Sequence, residues 1–329
     1  MESATEPKTL FEAVPYFTDQ DNCLNFLAGR RWPDGVATCP RCGSTNVGFI
    51  ASRRVWQCKT RHPLAQFSIK VGTIFEDSPL GLDKWLPALW MIGNAKNGIS
   101  SWELHRALGV TQKTAWFMLH RIRLAVQDNL TGSKLGGDVE VGETFIGGKS
   151  RNMHKHKRAE KIHGRGPEGK AIVAAVLERG GKVRAKVVET RRKKSLQSLV
   201  RDNVEAGSNL YSDALKSYSR LGSEYEHQVI DHAEAYVNGQ VHTNGMENFW
   251  SLLKRGSNGT YVSVEPFHLF RYVDEQAFRF NTRLDIDGEK LGDAQRFKML
   301  CTQIVGKRRT YSALIDDEDK KRFFAVSCG

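Results

Sequence analysis

Three cysteines and a histidine near the start of the chain have the spacing of ligands for a soft metal ion. Cys39 and Cys42 form a CPRC pair, Cys58 follows after fifteen intervening residues, and His62 stands four residues beyond it. Such spacing predicts two knuckles on short hairpins, each supplying two ligands to one tetrahedral Zn2+, a structural site that contributes to folding. Buried cysteines beside a surface histidine would be the plainer reading, but it accounts less well for a CxxC followed at ribbon spacing by a third cysteine. Cys23, Cys301 and Cys328 have no such neighbours and read as ordinary thiols. A second group is acidic: Asp213 closes NLYSD and Glu247 lies in TNGMENFW, 34 residues later. Carboxylates brought together from separate elements can hold two divalent ions about 4 Å apart, one activating an attacking oxygen and the other stabilising the leaving one. Mg2+ suits that task because it keeps several waters and takes only one or two carboxylates plus substrate phosphate. Each acid also has a bland use: Asp213 as the cap of a helix ALKSYSRL, and Glu247 with Asn244 as a capping box.

The elements that must position these groups are legible in the pattern. Between Leu82 and Asn129 the chain reads as helical. Ser100 and Glu103 make a capping box opening WELHRAL, with Leu104, Ala107 and Leu108 on one face, and Gly109 ends that helix. Thr111 caps a second helix with a stripe of Ala115, Met118, Leu119 and Ile122. Two amphipathic helices joined by LGVT form a helix-turn-helix pattern or a plain helical hairpin. In the first case Gln112, Lys113 and Thr114 face base edges, and Arg121 or Arg123 meets phosphate. From Asp138 the period becomes two: DVEVGETFI, KAIVAAVLE and KVRAKVVET predict three antiparallel strands. A helix KSLQSLVRDNVEAG, a strand NLYSD, a further helix and a strand EHQVI follow. Helices TNGMENFWSLLKR and PFHLFRYVDEQAFRFNTR and a helical tail complete the chain. Between the first two strands, Lys149 to Lys170 carries eight basic residues against two acids and reads as a mobile loop whose Lys155, Lys157 and Arg158 contact phosphate.

Composition bounds the function. A length of 329 residues suggests about two domains with room for a small third. Apolar and charged fractions are those of a globular protein, and no apolar stretch approaches the roughly 20 residues of a membrane span. MESATEPKTL has neither the basic nor the apolar region of a signal peptide, so a cytoplasmic, nucleoid-associated protein without membrane attachment is expected. The 49 Lys and Arg against 37 Asp and Glu give a net charge of +12, which favours nucleic acid as partner. The boundaries read as an N-terminal region 1–75 with a zinc ribbon at about 36–70 and a helix-turn-helix region 80–130. A catalytic domain at 136–285 and a C-terminal helical tail at 286–329 follow. The fold class expected is α/β: an RNase H-like domain, a mixed sheet with flanking helices, preceded by the ribbon and the helix-turn-helix.

CPRCG, QFSIKVGTIFEDSPL, ALGVTQKTAWFMLHRIR, VEVGETFIGG, LYSDALKSY, VHTNGMENFWSLLKRG and RYVDEQAFRFNTR occur in that order across roughly residues 20 to 285. In these motifs the sequence resembles the bacterial insertion-sequence transposases of the DDE type that carry an N-terminal zinc ribbon, the ISXO-like group. The resemblance implies a DNA transposase that cuts element ends and joins them to a target. It implies structural Zn2+, catalytic Mg2+ or Mn2+, double-stranded DNA (terminal repeats and target) as partner, and a homo-oligomer in the DNA complex. It places Asp213 and Glu247 as the second and third catalytic acids, with Asn244 as the alternative third ligand. Lys254, two turns after Glu247 on the same face, falls where a lysine can hold a phosphate of the DNA end. At the first acid the chain departs from the family: Val141-Gly142-Glu143-Thr144 stands where valine-aspartate-glutamate-threonine is usual. Strand parity puts Asp138 and Glu140 on the side of position 142, with Glu140 nearly 7 Å along the strand, and Glu143 on the opposite face. A transposase-derived DNA-binding protein or repressor without catalysis is the alternative function. Trp250, Phe270 and Phe278 are expected in the core and His242 in a structural role.

Overall fold

The computed structural model describes residues 5–127, 133–148, 153–162, 168–230, 242–262, 264–285 and 287–315. The chain divides into two compact units, one of residues 1–127 with 290–317 and one of residues 128–289 with 318–329. The first unit opens with α1 (Leu10–Thr18) and α2 (Gln20–Arg31), capped by Thr9 and Asp19. A three-stranded antiparallel sheet follows, β1 (Val47–Ile50), β2 (Val55–Cys58) and β3 (Gln66–Phe67), in that spatial order. Then come α3 (Leu82–Asn94), α4 (Ser101–Leu108) and α5 (Gln112–Val126). The capping box of Ser100 with Glu103 forms, Gly109 takes the left-handed conformation that ends α4, and Thr111 caps α5. Ala115, Met118, Leu119 and Ile122 are buried as the stripe predicts, whereas Ala107 is exposed.

The second unit is built on a five-stranded mixed sheet: β4 (Asp138–Ile146), β5 (Ala171–Glu178), β6 (Val183–Val188), β7 (Asn209–Asp213) and β8 (Glu226–Ile230), in spatial order β6-β5-β4-β7-β8. β4, β5 and β6 pair antiparallel, and β7 and β8 run parallel to β4. Between β4 and β5 a short helix, α6 (Lys155–Lys161), forms within the segment expected to be a loop, of which residues 149–152 and 163–167 lie outside the described ones. The run from Lys155 to Lys161 has no glycine or proline to break a turn. α7 (Lys193–Asn203) covers one face, packing Leu196 and Val200 with Val139, Val141 and Val176. α8 (Asn244–Arg255) and α9 (Leu269–Asn281) cover the other, with Met246, Phe249, Trp250 and Leu253 against Val173, Ala175 and Leu177. Alternate residues of β4 and β5 thus feed two cores, the mixed α/β arrangement expected of an RNase H-like domain. ALKSYSRL forms only a 3-10 turn at Lys216–Tyr218 in place of a helix, ending in the extended Ser219 and left-handed Arg220.

The C-terminal segment is not a detached tail. α10 (Asp293–Thr302) and α11 (Tyr311–Ile315) return to the first unit, where Phe297 packs against the rings of Phe17, Phe26 and Trp90. No helix among the described residues is long and apolar enough to cross a membrane.

Candidate functional site

The loop before β1, the end of β2 and the turn after it bring Cys39, Cys42, Cys58 and His62 together, their ligand atoms all within 4.8 Å of one another. Cys42 Sγ lies 3.7 Å from Cys58 Sγ, and Cys39 Sγ lies 3.5 Å from His62 Nε2. Metal bonds of about 2.3 Å to sulfur and 2.0–2.1 Å to nitrogen at tetrahedral angles place S···S near 3.7 Å and S···N near 3.5 Å, so both edges fit one Zn2+. His62 Nδ1 stands 2.7 Å from the Pro63 carbonyl, a partner that takes the Nδ1 proton and leaves Nε2 as the metal-facing lone pair. Burial alone would raise the Cys39 and Cys58 thiols. Hydrogen bonds from the backbone of Arg41 and Cys42 to the first, and of Thr60 to the second, draw both below the ordinary range, towards thiolate.

The helix-turn-helix residues fare unequally. Lys113 is exposed, its ammonium 4.7 Å from the Tyr311 ring centre. Gln112 donates to Ser101 Oγ at 2.8 Å and Thr114 Oγ1 pairs with Thr111 Oγ1 at 2.8 Å, so both also brace the motif's own turns. Arg121 and Arg123 are 3% and 1% exposed, and the expectation that they meet phosphate is corrected. Arg121 donates to the Glu76 carbonyl and sits over Trp85 and Phe117, and Arg123 is buried as well. They flank Ile122 on opposite sides of the helix, and α5 is buried all round from Met118 to Arg123. In the basic segment Lys155 and Arg158 are exposed, while the Lys157 side chain lies outside the described residues.

On the sheet, Asp213 ends β7 and its Oδ1 accepts the Leu215 N–H at 3.3 Å, a local turn rather than a helix cap. Val141 pairs with Ser212, so the next step of the parallel register sets Gly142 beside Asp213. Gly142 faces α8: a Cβ there would lie 3.1 Å from Met246 Cγ and 3.5 Å from Trp250 Nε1. A side chain at this position would therefore press on Met246, which would have to give by a few tenths of an ångström, and lie in ordinary contact with Trp250. Glu140, on the same face, is 1% exposed, with Arg179 Nε at 3.0 Å and the Met246 N–H at 2.7 Å. His242 Nδ1 lies 3.4 Å from its Oε1, the structural surroundings expected of that histidine. Asp138 accepts from Asn209 and Tyr211.

Asn244 and Glu247 are exposed on α8. They do not make a capping box, because Thr243 is the N-cap and no cap side chain bonds the helix. Glu247 and Lys254 line one open pocket of about 690 Å³ together with Trp250, Arg255 and Asn258. Trp250 and Phe278 belong to the core; Phe270 is half-buried beside Arg271.

Sequence reasoning passed over Glu143's surroundings. On the face opposite Gly142, its carboxylate is 5% exposed, accepts Tyr218 Oη–H at 2.9 Å and lies 3.8 Å from Arg191. Burial, and then the charge of Asp213, raise its pKa above the usual carboxylate range. Arg191 opens an exposed run, Arg191-Arg192-Lys193-Lys194, at the start of α7. Four consecutive basic residues were the available signal.

Comparison with known proteins agrees with this arrangement. The sequence model of the ISXO2-like transposase domain matches residues 134–281, the span of the five-stranded sheet with α7, α8 and α9, and that of the transposase zinc-ribbon domain matches residues 18–60. An uncharacterised protein of the transposable element ISH50 from Halobacterium salinarum is 28% identical over 255 residues, covering 74% of this chain and 84% of its own. An uncharacterised transposase-like protein from Haemophilus influenzae is 31% identical over 101 residues, 30% of this chain and 81% of its own. With three of the four ribbon ligands, Cys39, Cys42 and Cys58, within the zinc-ribbon match, His62 two residues beyond it, and the mixed sheet within the transposase-domain match, the chain belongs to the ISXO2-like family of insertion-sequence transposases.

Proposed function

We propose that this chain binds the terminal repeats of an insertion sequence through a Zn2+-stabilised ribbon and the α4–α5 pair, and that metal-dependent DNA cleavage is lost in this copy. The observation that carries the second part is Gly142. A family transposase would hold Mg2+ or Mn2+ between three carboxylates; here one position offers no donor, and Met246 and Trp250 lie close against it. Glu140, two residues away, has both oxygens committed to protein partners. Among the described residues the Cys3His set is the only cluster of three or more such ligands. The residues present therefore do not fit a three-carboxylate centre, and no catalytic step is derived through it.

Binding has its own support. The net charge is +12, Lys155 and Arg158 are exposed, and Lys254 and Arg255 line the α8 pocket beside Glu247. Point cations of this kind hold backbone phosphates, which fix position on DNA without reading sequence. Lys113 is the exposed side chain at the start of α5 suited to approach a base edge or phosphate. Terminal repeats and target DNA are the proposed partners, bound by a homo-oligomer. Substituting Lys155, Lys157 and Arg158 by Gln is expected to flatten the dependence of log K on log salt by about 0.9 for each phosphate no longer neutralised. An unchanged slope removes the basic segment from the interface.

Retained transposase activity is the second reading, favoured by Asp213 remaining at the end of β7 and by Glu247 sharing a pocket with Lys254. It requires cleavage by the unmodified chain, abolished by Asp213→Asn.

A further inference from the structure

Glu140 is the third residue of β4 and its carboxylate is fully buried, where a charge is tolerated only when paired and hydrogen-bonded. Its Oε1 meets Arg179 Nε at 3.0 Å and His242 Nδ1 at 3.4 Å. Arg179 is itself fixed, donating through Nη2 to the His242 carbonyl at 2.7 Å and lying 3.9 Å from the Tyr211 ring centre. The other oxygen, Oε2, accepts the N–H of Met246 at 2.7 Å. Met246 is the third residue of α8, so this N–H is one that a helix leaves without an internal partner. No side chain of the α8 N-cap satisfies it. A strand-borne carboxylate therefore does from across the fold what an N-cap side chain does locally, and sets a negative charge at the positive end of the helix. Gly245 makes room: a Cβ there would come within 3.0 Å of both Glu140 Oε2 and Leu177 Cδ2.

We infer that Glu140 is a positioning residue that latches the first turn of α8 onto β4 and so sets the stance of Glu247 and Lys254. It is an anchor for the helix and not a substitute for the missing first acid. The consequence for DNA rests on the reading that Lys254 contacts phosphate; the latch itself does not.

Amide exchange on the full-length, zinc-loaded chain tests the latch. Glu140→Ala is expected to lower protection of the Met246 amide by about tenfold or more while amides of β5 keep theirs. Glu140→Gln keeps an acceptor oxygen and is expected to restore that protection, and Gly245→Ala to lose it. Unchanged protection of Met246 in Glu140→Ala overturns the inference, as does loss of it in a folded Glu140→Gln; if Glu140→Ala does not fold, the other two variants decide. For DNA, Lys254→Ala is expected to flatten the salt dependence by about 0.9 in the unmodified chain and to add nothing in a Glu140→Ala background. Equal effects in both backgrounds overturn the link from latch to Lys254. No effect in either defeats the phosphate reading and leaves the exchange result to judge the latch.

Discussion

The zinc ribbon carries a cluster of metal-ligand residues and the sheet domain the acidic positions proposed above, and the two sets differ in how they are built and in what the loss of one member would do. Cys39, Cys42, Cys58 and His62 come from one short stretch, held within 4.8 Å by β1, β2 and their turns. The acidic positions come from three distant elements, β4, β7 and α8. In the ribbon, ligands and fold depend on each other, because a module this small has little core apart from the Trp32, Phe49, Trp56 and Phe67 rings. In the sheet the fold stands on two apolar cores that need no acid. Glycine at the proposed first-acid position leaves that architecture whole, with Met246 and Trp250 beside it. Catalytic ligands on a self-sufficient scaffold can be lost silently; structural ligands cannot.

The largest effect expected from breaking this contrast is in the ribbon. Cys39→Ser should lower bound zinc, measured by elemental analysis, and unfold the module, since structural Zn2+ supplies on the order of 10 kcal/mol in zinc-finger peptides. One equivalent retained at unchanged stability would contradict it. On the sheet, Gly142→Asp should cost about 1–3 kcal/mol by overpacking against Met246. Chemical denaturation of Gly142→Asp, Met246→Ala and the double variant checks this, the double costing less than the sum of the singles; simple additivity would show that the position is not filled. A smaller effect belongs to Glu143. Its folded-state pKa is raised by burial and by Asp213, so the folded state holds the proton more tightly than the unfolded one. The stability this represents is fully present below the unfolded value near 4.5 and is lost as pH rises through the raised folded value. Glu143→Gln is therefore expected to raise Tm by roughly 2–4 °C at pH 7, with the advantage disappearing below about pH 4.5. A Tm difference independent of pH would assign the gain to packing.

Much of this was legible in the sequence because the signals are local. Period-two alternation marked β4, two runs joined by Gly180-Gly181 marked β5 and β6, the Ser100 and Glu103 pair marked the start of α4, and cysteine spacing marked the ribbon. What escaped depends on partners far along the chain. Arg121 and Arg123 look like phosphate ligands by type, but α5 is buried on all sides where they stand. Phe297 looks like part of a tail until its aromatic partners at Phe17, Phe26 and Trp90 are seen. Strand parity placed Glu140 on the face of Gly142, yet only tertiary structure reveals that Arg179 and the α8 backbone occupy it. The bare position at Gly142 was plain from the sequence; that Met246 and Trp250 of α8 lie against it was not.

The most direct measurement is cleavage and strand transfer on DNA carrying the element's end, with Mg2+ or Mn2+, alongside binding of the same DNA. The account predicts that the unmodified chain binds this DNA and leaves it uncut. Metal-dependent cutting by the unmodified chain that Asp213→Asn abolishes would contradict it.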